Sequence, residues 1–222
     1  MNTRLLASLL ALLAVTACHD RRAVDTQNFA DGVNRYLERR GDLCVGKAIW
    51  PIDVTRAESA SGSRDALQMP VLERLGLVYG ENAVSELQTE DGPVKREVRR
   101  YTLTSAGQRY YIARGGASGA PAKRDFCVAR LSLDHVVGWE PTTGDLGAHT
   151  VVSYTYQAAA PPWTSDPDVV RTFPMVDRVL RGAGTARLTE AFTLTSSGWV
   201  ADDLLKESTA PAAVARAEGR SR

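Results

Sequence analysis

Histidine, serine and acidic side chains are the groups that could do chemistry in this chain, because a hydrolase nucleophile needs a base and an acid that orients the base. The sequence holds three histidines, and only His135 directly follows a carboxylate, Asp134. No Gly-x-Ser-x-Gly motif occurs, and Ser118 stands among glycines and alanines. Two valines follow His135, as at the end of a strand, so we interpret this histidine as structural. We therefore predict no catalytic residue.

Ligands for a metal ion or a phosphate group are equally sparse. No pair of His or Cys residues has the spacing of a metal site, and Asp166-Pro167-Asp168 is typical of a helix start rather than of a cation site. The glycines between 115 and 119 are followed by Pro121 and lack the Lys-Ser/Thr ending of a phosphate-binding loop. We predict no metal and no cofactor.

The first cysteine follows an apolar N-terminal run. Arg4 precedes an unbroken apolar or small-residue stretch over 5–17, which is too short for the ~20 residues of a membrane-spanning helix but is typical of a secretion signal. The stretch ends in Val15-Thr16-Ala17-Cys18. This motif resembles the lipobox of bacterial lipoproteins, an apolar residue and two small ones before an obligatory cysteine; a plain secreted signal that ends in Ala-Cys is the alternative.

The resemblance covers the signal alone, and it implies that Cys18 becomes the lipid-bearing first residue of the mature protein. Two or more acyl chains make such an anchor effectively permanent. The next residue is His19 rather than the Asp that tends to retain lipoproteins at the inner membrane. We therefore expect a protein anchored in the outer membrane that faces the periplasm.

The two remaining cysteines, Cys44 and Cys127, form an even pair in an oxidising compartment, which favours a disulfide. Such a bond closes a long loop and contributes on the order of 4 kcal/mol in the chain-entropy model. Two buried free thiols are the alternative.

Net charge argues against a nucleic-acid partner. The formal charge of the chain is +1, and removal of residues 1–17, whose only charged side chain is Arg4, brings it to 0. A neutral chain has no electrostatic basis for binding nucleic acid. The apolar and charged fractions, 44% and 24%, are typical of an ordinary globular protein.

Three stretches recur in the same order, which indicates an internal duplication. The matched pairs are Asp42-Leu43-Cys44-Val45 with Asp125-Phe126-Cys127-Val128, residues 69–74 with 173–178, and residues 101–107 with 192–198. If the two copies pack about a pseudo-twofold axis, Cys44 and Cys127 come within disulfide range.

Hydrophobic periodicity predicts the elements that carry these residues. A helix is expected from about Asn28 to Arg40, strands around both cysteines, a helix after Asp166 that Pro174 kinks or splits, and strands over 101–103, 150–156 and 192–194. The fold class is therefore α+β, with two tandem related modules, each a small antiparallel sheet packed by a helix. The predicted organisation is a signal peptide (1–17), a lipidated tether (18–25), a first α+β module (26–113), a Gly/Pro linker (114–124), a second α+β module (125–206) and a disordered tail (207–222).

Residues 65–111 resemble the second half of a winged-helix DNA-binding domain, with a helix, a charged hairpin and a Tyr-Thr-Leu-Thr strand end. In that family the basic residues of the hairpin, here Lys95, Arg96, Arg99 and Arg100, meet phosphate. The secretion signal and the strand that contains Cys44, which replaces the helices expected before the recognition helix, both oppose a gene regulator. We interpret the hairpin as a solvated charged surface.

Surface recognition is the function that these exclusions leave. Four tryptophans, Trp50, Trp139, Trp163 and Trp199, are candidate anchors, and Trp163 is the preferred binding residue because it stands in a predicted loop. We expect a non-enzymatic binding lipoprotein with a protein partner in the envelope, for example an immunity or inhibitor protein against a toxin that attacks the cell wall. The alternatives are an envelope-assembly or structural lipoprotein and a hydrolase that acts on peptidoglycan or lipid through carboxylates without a sequence signature.

Overall fold

The computed structural model describes residues 20–89, 92–114 and 123–209. The predicted signal peptide, the lipidation site Cys18, most of the linker and the tail from residue 210 lie outside these residues. Helices in the described part are α1 (Thr26–Arg40), α2 (Arg56–Ser61), α3 (Arg64–Arg74), α4 (Ser105–Gln108), α5 (Pro167–Thr172), α6 (Pro174–Gly182) and α7 (Asp202–Thr209). Strands are β1 (Asp42–Cys44), β2 (Ile52–Thr55), β3 (Val78–Thr89), β4 (Gly92–Leu103), β5 (Tyr111–Arg114), β6 (Lys123–Trp139), β7 (His149–Ala159), β8 (Arg187–Thr195) and β9 (Gly198–Ala201).

These strands form two antiparallel sheets, and the α+β class predicted from the sequence is confirmed. The larger sheet has the order β1-β6-β7-β8-β9, with β5 also paired to β6. The smaller sheet has the order β2-β4-β3. In the described ranges no helix has both the length and the apolar character needed to cross a membrane.

One core lies between α1 and the larger sheet. Asp25 caps α1 by accepting a hydrogen bond from the Asn28 backbone N at 2.8 Å, as an N-cap carboxylate does. Phe29, Val33 and Leu37 follow at four-residue spacing, so they share the buried face of the helix. They pack against the apolar face of the larger sheet, which comprises Val152, Tyr154, Phe192, Leu194 and Trp199.

The second core lies under the smaller sheet and joins α3, α5 and α6. Met69 and Leu72 of α3 are fully buried beside Val169, Phe173 and Val176. Strand β6 belongs to both cores, because its first half contributes Phe126 and Val128 here, whereas residues 131–139 pack against α1.

The packing therefore departs from the predicted modules 26–113 and 125–206. Helix α1 comes from the first range but covers strands of the second, whereas the apolar face of the smaller sheet packs with α3. Helices α5 and α6 come from the second range but pack on α3. The two-module organisation is not confirmed.

The predicted boundaries also shift. Lys123 and Arg124, placed in the linker, begin β6 and pair with β5. The predicted tail begins inside α7, where Glu207 forms an ion pair with Arg40 at 3.0 Å. Helix α7, which was not predicted from the sequence, continues to Thr209.

The stretch that resembles a winged helix folds as α3 followed by the β3–β4 hairpin, with β2 as third strand. One sequence inference about it is wrong: a short helix, α2, directly precedes α3. Thr55 and Glu58 form a capping box at its start, and Gly62 ends it with a φ of 67°.

Candidate functional site

Cys44 and Cys127, the pair expected to form a disulfide, are bonded to each other and directly opposed on β1 and β6. The antiparallel pairing brings the two matching motifs side by side. The bond fastens the edge strand β1 to the strand that both cores share.

Trp163, the predicted binding residue, does not stand free in a loop. It lies in a 3₁₀ turn over Pro162–Ser165, and its ring packs edge-on against Tyr110 with the ring centres 5.4 Å apart. Its Nε1 is buried without a hydrogen-bond partner in the described structure. The other tryptophans also pack on the cores, since Trp139 and Trp199 flank Phe29 and Trp50 contacts Phe126.

His135 takes part in a polar cluster on β6 and β7. Asp134 Oδ2 lies 2.9 Å from His135 Nδ1 and accepts a hydrogen bond from Thr155 Oγ1 at 2.8 Å, while Gln157 donates to Oδ1 at 2.9 Å. Hydrogen bonds from Gln157, Thr155 and His135 hold the pKa of Asp134 below its ordinary value.

This cluster lacks the geometry of a catalytic triad. In a triad the acid and the nucleophile occupy different ring nitrogens of the histidine. Here the Thr155 hydroxyl and the Asp134 carboxylate both lie 2.9 Å from Nδ1, and the hydroxyl proton is directed to the carboxylate. The cluster therefore ties a bulge of β6 to β7 and does not activate the hydroxyl.

His149 has the same surroundings at the other end of β7. Thr193 Oγ1 lies 2.9 Å from His149 Nδ1 and donates to Asp202 Oδ1 at 2.6 Å. Asp202 Oδ2 lies 4.0 Å from the same ring nitrogen, so the hydroxyl and the carboxylate are again on one side of the ring. The contact joins β7, β8 and α7. Among the described residues, no three His, Cys, Asp or Glu side chains could hold a metal ion.

Two of the four basic hairpin residues, Arg99 and Arg100, have ion-pair partners within the fold. Arg99 forms an ion pair with Glu73 at 2.8 Å, and Arg100 binds both carboxylate oxygens of Asp53 at 2.7 Å. The hydrogen bond from Arg100 holds the pKa of Asp53 below its ordinary value. These two guanidinium groups are thus engaged by carboxylates of the same chain.

Helix α3, which would be the recognition helix, is also engaged by the rest of the chain. Arg74 pairs with Asp166 at 2.7 Å and with Asp168 at 2.9 Å. Gln68 Nε2 donates to the Thr172 carbonyl at 3.1 Å. These contacts fasten α3 to α5 and to the turn before it.

Beside this contact runs an apolar groove of about 670 Å³, here called the α3–α6 groove. Its size lies in the range of ligand-binding sites. Three chain segments form its walls. They are residues 43–46 of β1 and the following turn, residues 62–68 of α3 and the turn before it, and residues 172–176 at the α5–α6 junction.

Local sequence explains the shape of the junction wall. Pro174 cannot continue α5 and disfavours a helical residue before it, so the chain leaves the helix at Phe173 and starts α6 at the proline. The predicted split at Pro174 is confirmed. It turns Phe173 into the core and leaves Met175 at the rim with 61% of its surface exposed.

The opposite rim is made by α3. Leu67 points outward with 55% of its surface exposed. The buried Lys47, next to the β1 wall, forms an ion pair with Asp65 and so fixes that wall to the start of α3. Two large apolar side chains, Leu67 and Met175, thus flank a groove whose only charged lining residue is Arg64.

One residue of the groove lining, Gln68, has a side-chain acceptor with no partner. Gln68 is 8% exposed, and its Oε1 is buried without a hydrogen bond among the described residues. A buried polar atom left unpaired costs about 1–3 kcal/mol, and because Oε1 is closed to solvent, a donor reaches it only after the side chain moves.

The β1 wall also offers backbone groups. Val45 N donates to Phe126 O at 3.0 Å, and Leu131 N donates to Gly41 O at 2.7 Å, so these groups face β6. Because backbone groups alternate in direction along a strand, those of Asp42 and Cys44 face away from β6. β1 is an edge strand, and an edge of this kind can pair with another extended chain.

Sequence reasoning missed Leu67, Gln68 and Met175. The signal in the sequence was weak, because an outward Leu on a helix or a Met after a proline is common on protein surfaces. Only the meeting of α3, α6 and β1 makes them a site. In comparisons with known proteins, no protein-family model, no curated protein and no solved structure matches the chain.

Proposed function

We propose that the protein is a bacterial lipoprotein, anchored in the outer membrane through Cys18 and facing the periplasm, that binds a protein partner without catalysing a reaction. The α3–α6 groove is the observation that carries the binding role. It combines exposed apolar rims with an edge strand of the larger sheet.

The features of the groove favour an extended polypeptide segment over a small polar ligand. A strand added to β1 would satisfy the backbone groups of Cys44, since main-chain pairing supplies affinity in this mode of recognition. Alternate side chains of the segment would enter the groove between Leu67 and Met175.

The concrete version of this proposal is an immunity or inhibitor protein that neutralises a toxin attacking the cell wall. It is supported by the expected location, by the disulfide that stiffens the β1 wall, and by histidine clusters whose geometry does not suit nucleophilic catalysis. The partner would then be a protein of the envelope or one secreted by competing cells, and it would present an exposed apolar segment.

The test is in vivo photo-crosslinking from position 67, with the full chain expressed in its native envelope. The protein that crosslinks to position 67 should also co-purify with the wild-type chain. This co-purification should be lost in Leu67→Asp and in Met175→Asp. A charge in the apolar groove is uncompensated when the partner closes over it, which we expect to weaken binding by at least about tenfold.

Leu146→Asp is the matched control, because Leu146 is 59% exposed and lies outside the groove. It should retain the partner, and all three variants should keep the melting temperature of wild type within a few degrees. Equal capture by wild type and both groove variants, or no crosslinked protein from either source, would reject the groove as the binding site. A crosslink only to subunits of an assembly complex would replace the inhibitor version by a structural role.

A further inference from the structure

A second cavity lies where α1 meets the β8–β9 turn and α7. It measures about 740 Å³ and is lined by residues of these elements and by Arg21 from the segment before α1. We call it the arginine cavity, because Arg21, Arg35 and Arg39 stand along it.

The arginines of this cavity lack an acidic partner in the described structure. None of the three guanidinium groups forms an ion pair within the described part of the chain, although Arg35 donates a hydrogen bond to the Trp199 carbonyl at 2.9 Å. Of the two lining carboxylates, Glu207 pairs with Arg40, which also binds Asp203, and Glu38 has no ion pair among the described residues. Three guanidinium groups without an ion pair thus line the cavity with one such carboxylate.

A neighbouring smaller pocket adds one further carboxylate. Asp31 lines it together with Arg21 and Arg35, and its Oδ1 accepts a hydrogen bond from Gln27 at 3.0 Å. When both pockets are counted, three guanidinium groups and two carboxylates, Glu38 and Asp31, are without an ion pair among the described residues. The unpaired guanidinium groups are free to bind an anion.

The rest of the lining is of two kinds. Ser196 and Ser197 at the β8–β9 turn bring hydroxyl groups, and Val200, Ala201 and Leu204 bring apolar surface. Guanidinium and hydroxyl groups suit a phosphate, which accepts several hydrogen bonds at once. Apolar surface beside them suits a ligand that joins a phosphate to hydrocarbon.

We propose that the arginine cavity binds the phosphate of an anionic glycerophospholipid. Arg21, Arg35 and Arg39 hold the phosphate and head group, and Val200 and Leu204 contact the glycerol and the first methylene groups. Arg21 stands three residues after Cys18, a distance that extended chain spans in about 10 Å. An acyl anchor at Cys18, as proposed above, places the cavity at the level of the lipid head groups.

The site itself rests on the cavity and its charges, and only the lipid source rests on the proposed anchor. The test therefore uses soluble ligands. The full chain, purified in a nonionic detergent, is titrated by calorimetry with dihexanoyl phosphatidylglycerol, dihexanoyl phosphatidylcholine and inorganic phosphate. We expect saturable binding of phosphatidylglycerol, with the other two ligands at least about tenfold weaker.

Arginine variants identify the site. Arg21→Gln combined with Arg39→Gln should weaken phosphatidylglycerol binding by about tenfold, because two exposed charge contacts are lost. Arg187→Gln removes the same charge from an exposed position outside the cavity and should change the affinity less than about twofold. Arg39→Glu alone serves if the double variant does not fold, and melting temperatures confirm that each variant is native.

Three results would overturn the proposal. They are the absence of phosphatidylglycerol binding, an equal loss of affinity in Arg187→Gln, and phosphatidylcholine or inorganic phosphate binding as tightly as phosphatidylglycerol. Tight phosphate binding would identify a free-anion site, and tight phosphatidylcholine binding would remove the role of the arginines. None of these results bears on the α3–α6 groove, so the two proposals fail separately.

Discussion

Removal of the Cys44–Cys127 disulfide should lower the free energy of unfolding by about 4–5 kcal/mol. The bond joins residues 83 positions apart, and the loop-closure term of the chain-entropy model for that length is about 4.5 kcal/mol at 25 °C. The double variant Cys44→Ala/Cys127→Ala isolates this term, because alanine leaves no buried polar group.

The folded state should change little in this variant. Backbone hydrogen bonds on either side of the bond, Val45 N to Phe126 O and Leu131 N to Gly41 O, hold β1 on β6 without it. The loss of stability is therefore expected to come from a less restricted unfolded chain. The tryptophan bands in the near-ultraviolet circular dichroism of the folded variant should match those of wild type.

Urea unfolding followed by tryptophan fluorescence measures the difference. With an m-value of about 2 kcal/mol/M, the midpoint of the variant should fall by roughly 2 M. Wild type treated with a reductant should unfold with the midpoint of the variant. If the variant and oxidised wild type agree within about 1 kcal/mol, the entropic reasoning is wrong and the bond has another role.

Two further predictions concern the smaller sheet and its surroundings. Gly107→Ala should cost about 3 kcal/mol in a thermal melt, because the added Cβ lies 1.9 Å from the Leu77 carbonyl oxygen, whereas Gly138→Ala, which meets nothing within 4 Å, should cost under about 1 kcal/mol; equal melting temperatures would contradict this. Since Arg100 lowers the pKa of Asp53, that carboxylate stabilises the fold above the unfolded-state value of about 3.9, and its contribution is lost as the pH falls through the lower folded-state pKa. Urea midpoints from pH 6 to pH 2 should therefore fall less in Arg100→Gln than in wild type, and parallel curves would show that the ion pair is not the cause.

Local elements could be predicted from the sequence because their signals are local. The apolar spacing of α1 identified its buried face, and its end before Gly41 is confirmed. Pro174 announced the break between α5 and α6. What the spacing could not give was the partner of each apolar face, because any apolar sheet satisfies a helical stripe.

The recurring stretches show the same limit. Thr104 caps α4 by accepting a hydrogen bond from the Gly107 backbone N at 3.1 Å. Its counterpart Thr195 stands in a hairpin turn that Gly198 completes with a φ of 102°. Nearly identical sequences thus form a helix start in one place and a hairpin turn in the other, because the hydrogen-bond partners available differ between the two surroundings.

The α3–α6 groove lay beyond prediction for a related reason. It joins β1, α3 and α6, which are far apart in the chain, and its rims are single exposed side chains. Gln68 looked like an ordinary helix residue in the sequence. Only its burial against Thr172, with one oxygen left unpaired, marks it.

Helix α1 has a consequence for the order in which the chain can fold. Its buried face packs against Trp199, whose Nε1 donates to the Ala23 carbonyl at 3.2 Å, and Arg40 in its last turn pairs with Asp203. Both partners come from the far end of the described chain. Until β9 and α7 are available, the apolar stripe of α1 has no partner and is open to chaperones and aggregation. The protein therefore becomes native only when its last strand and helix join α1.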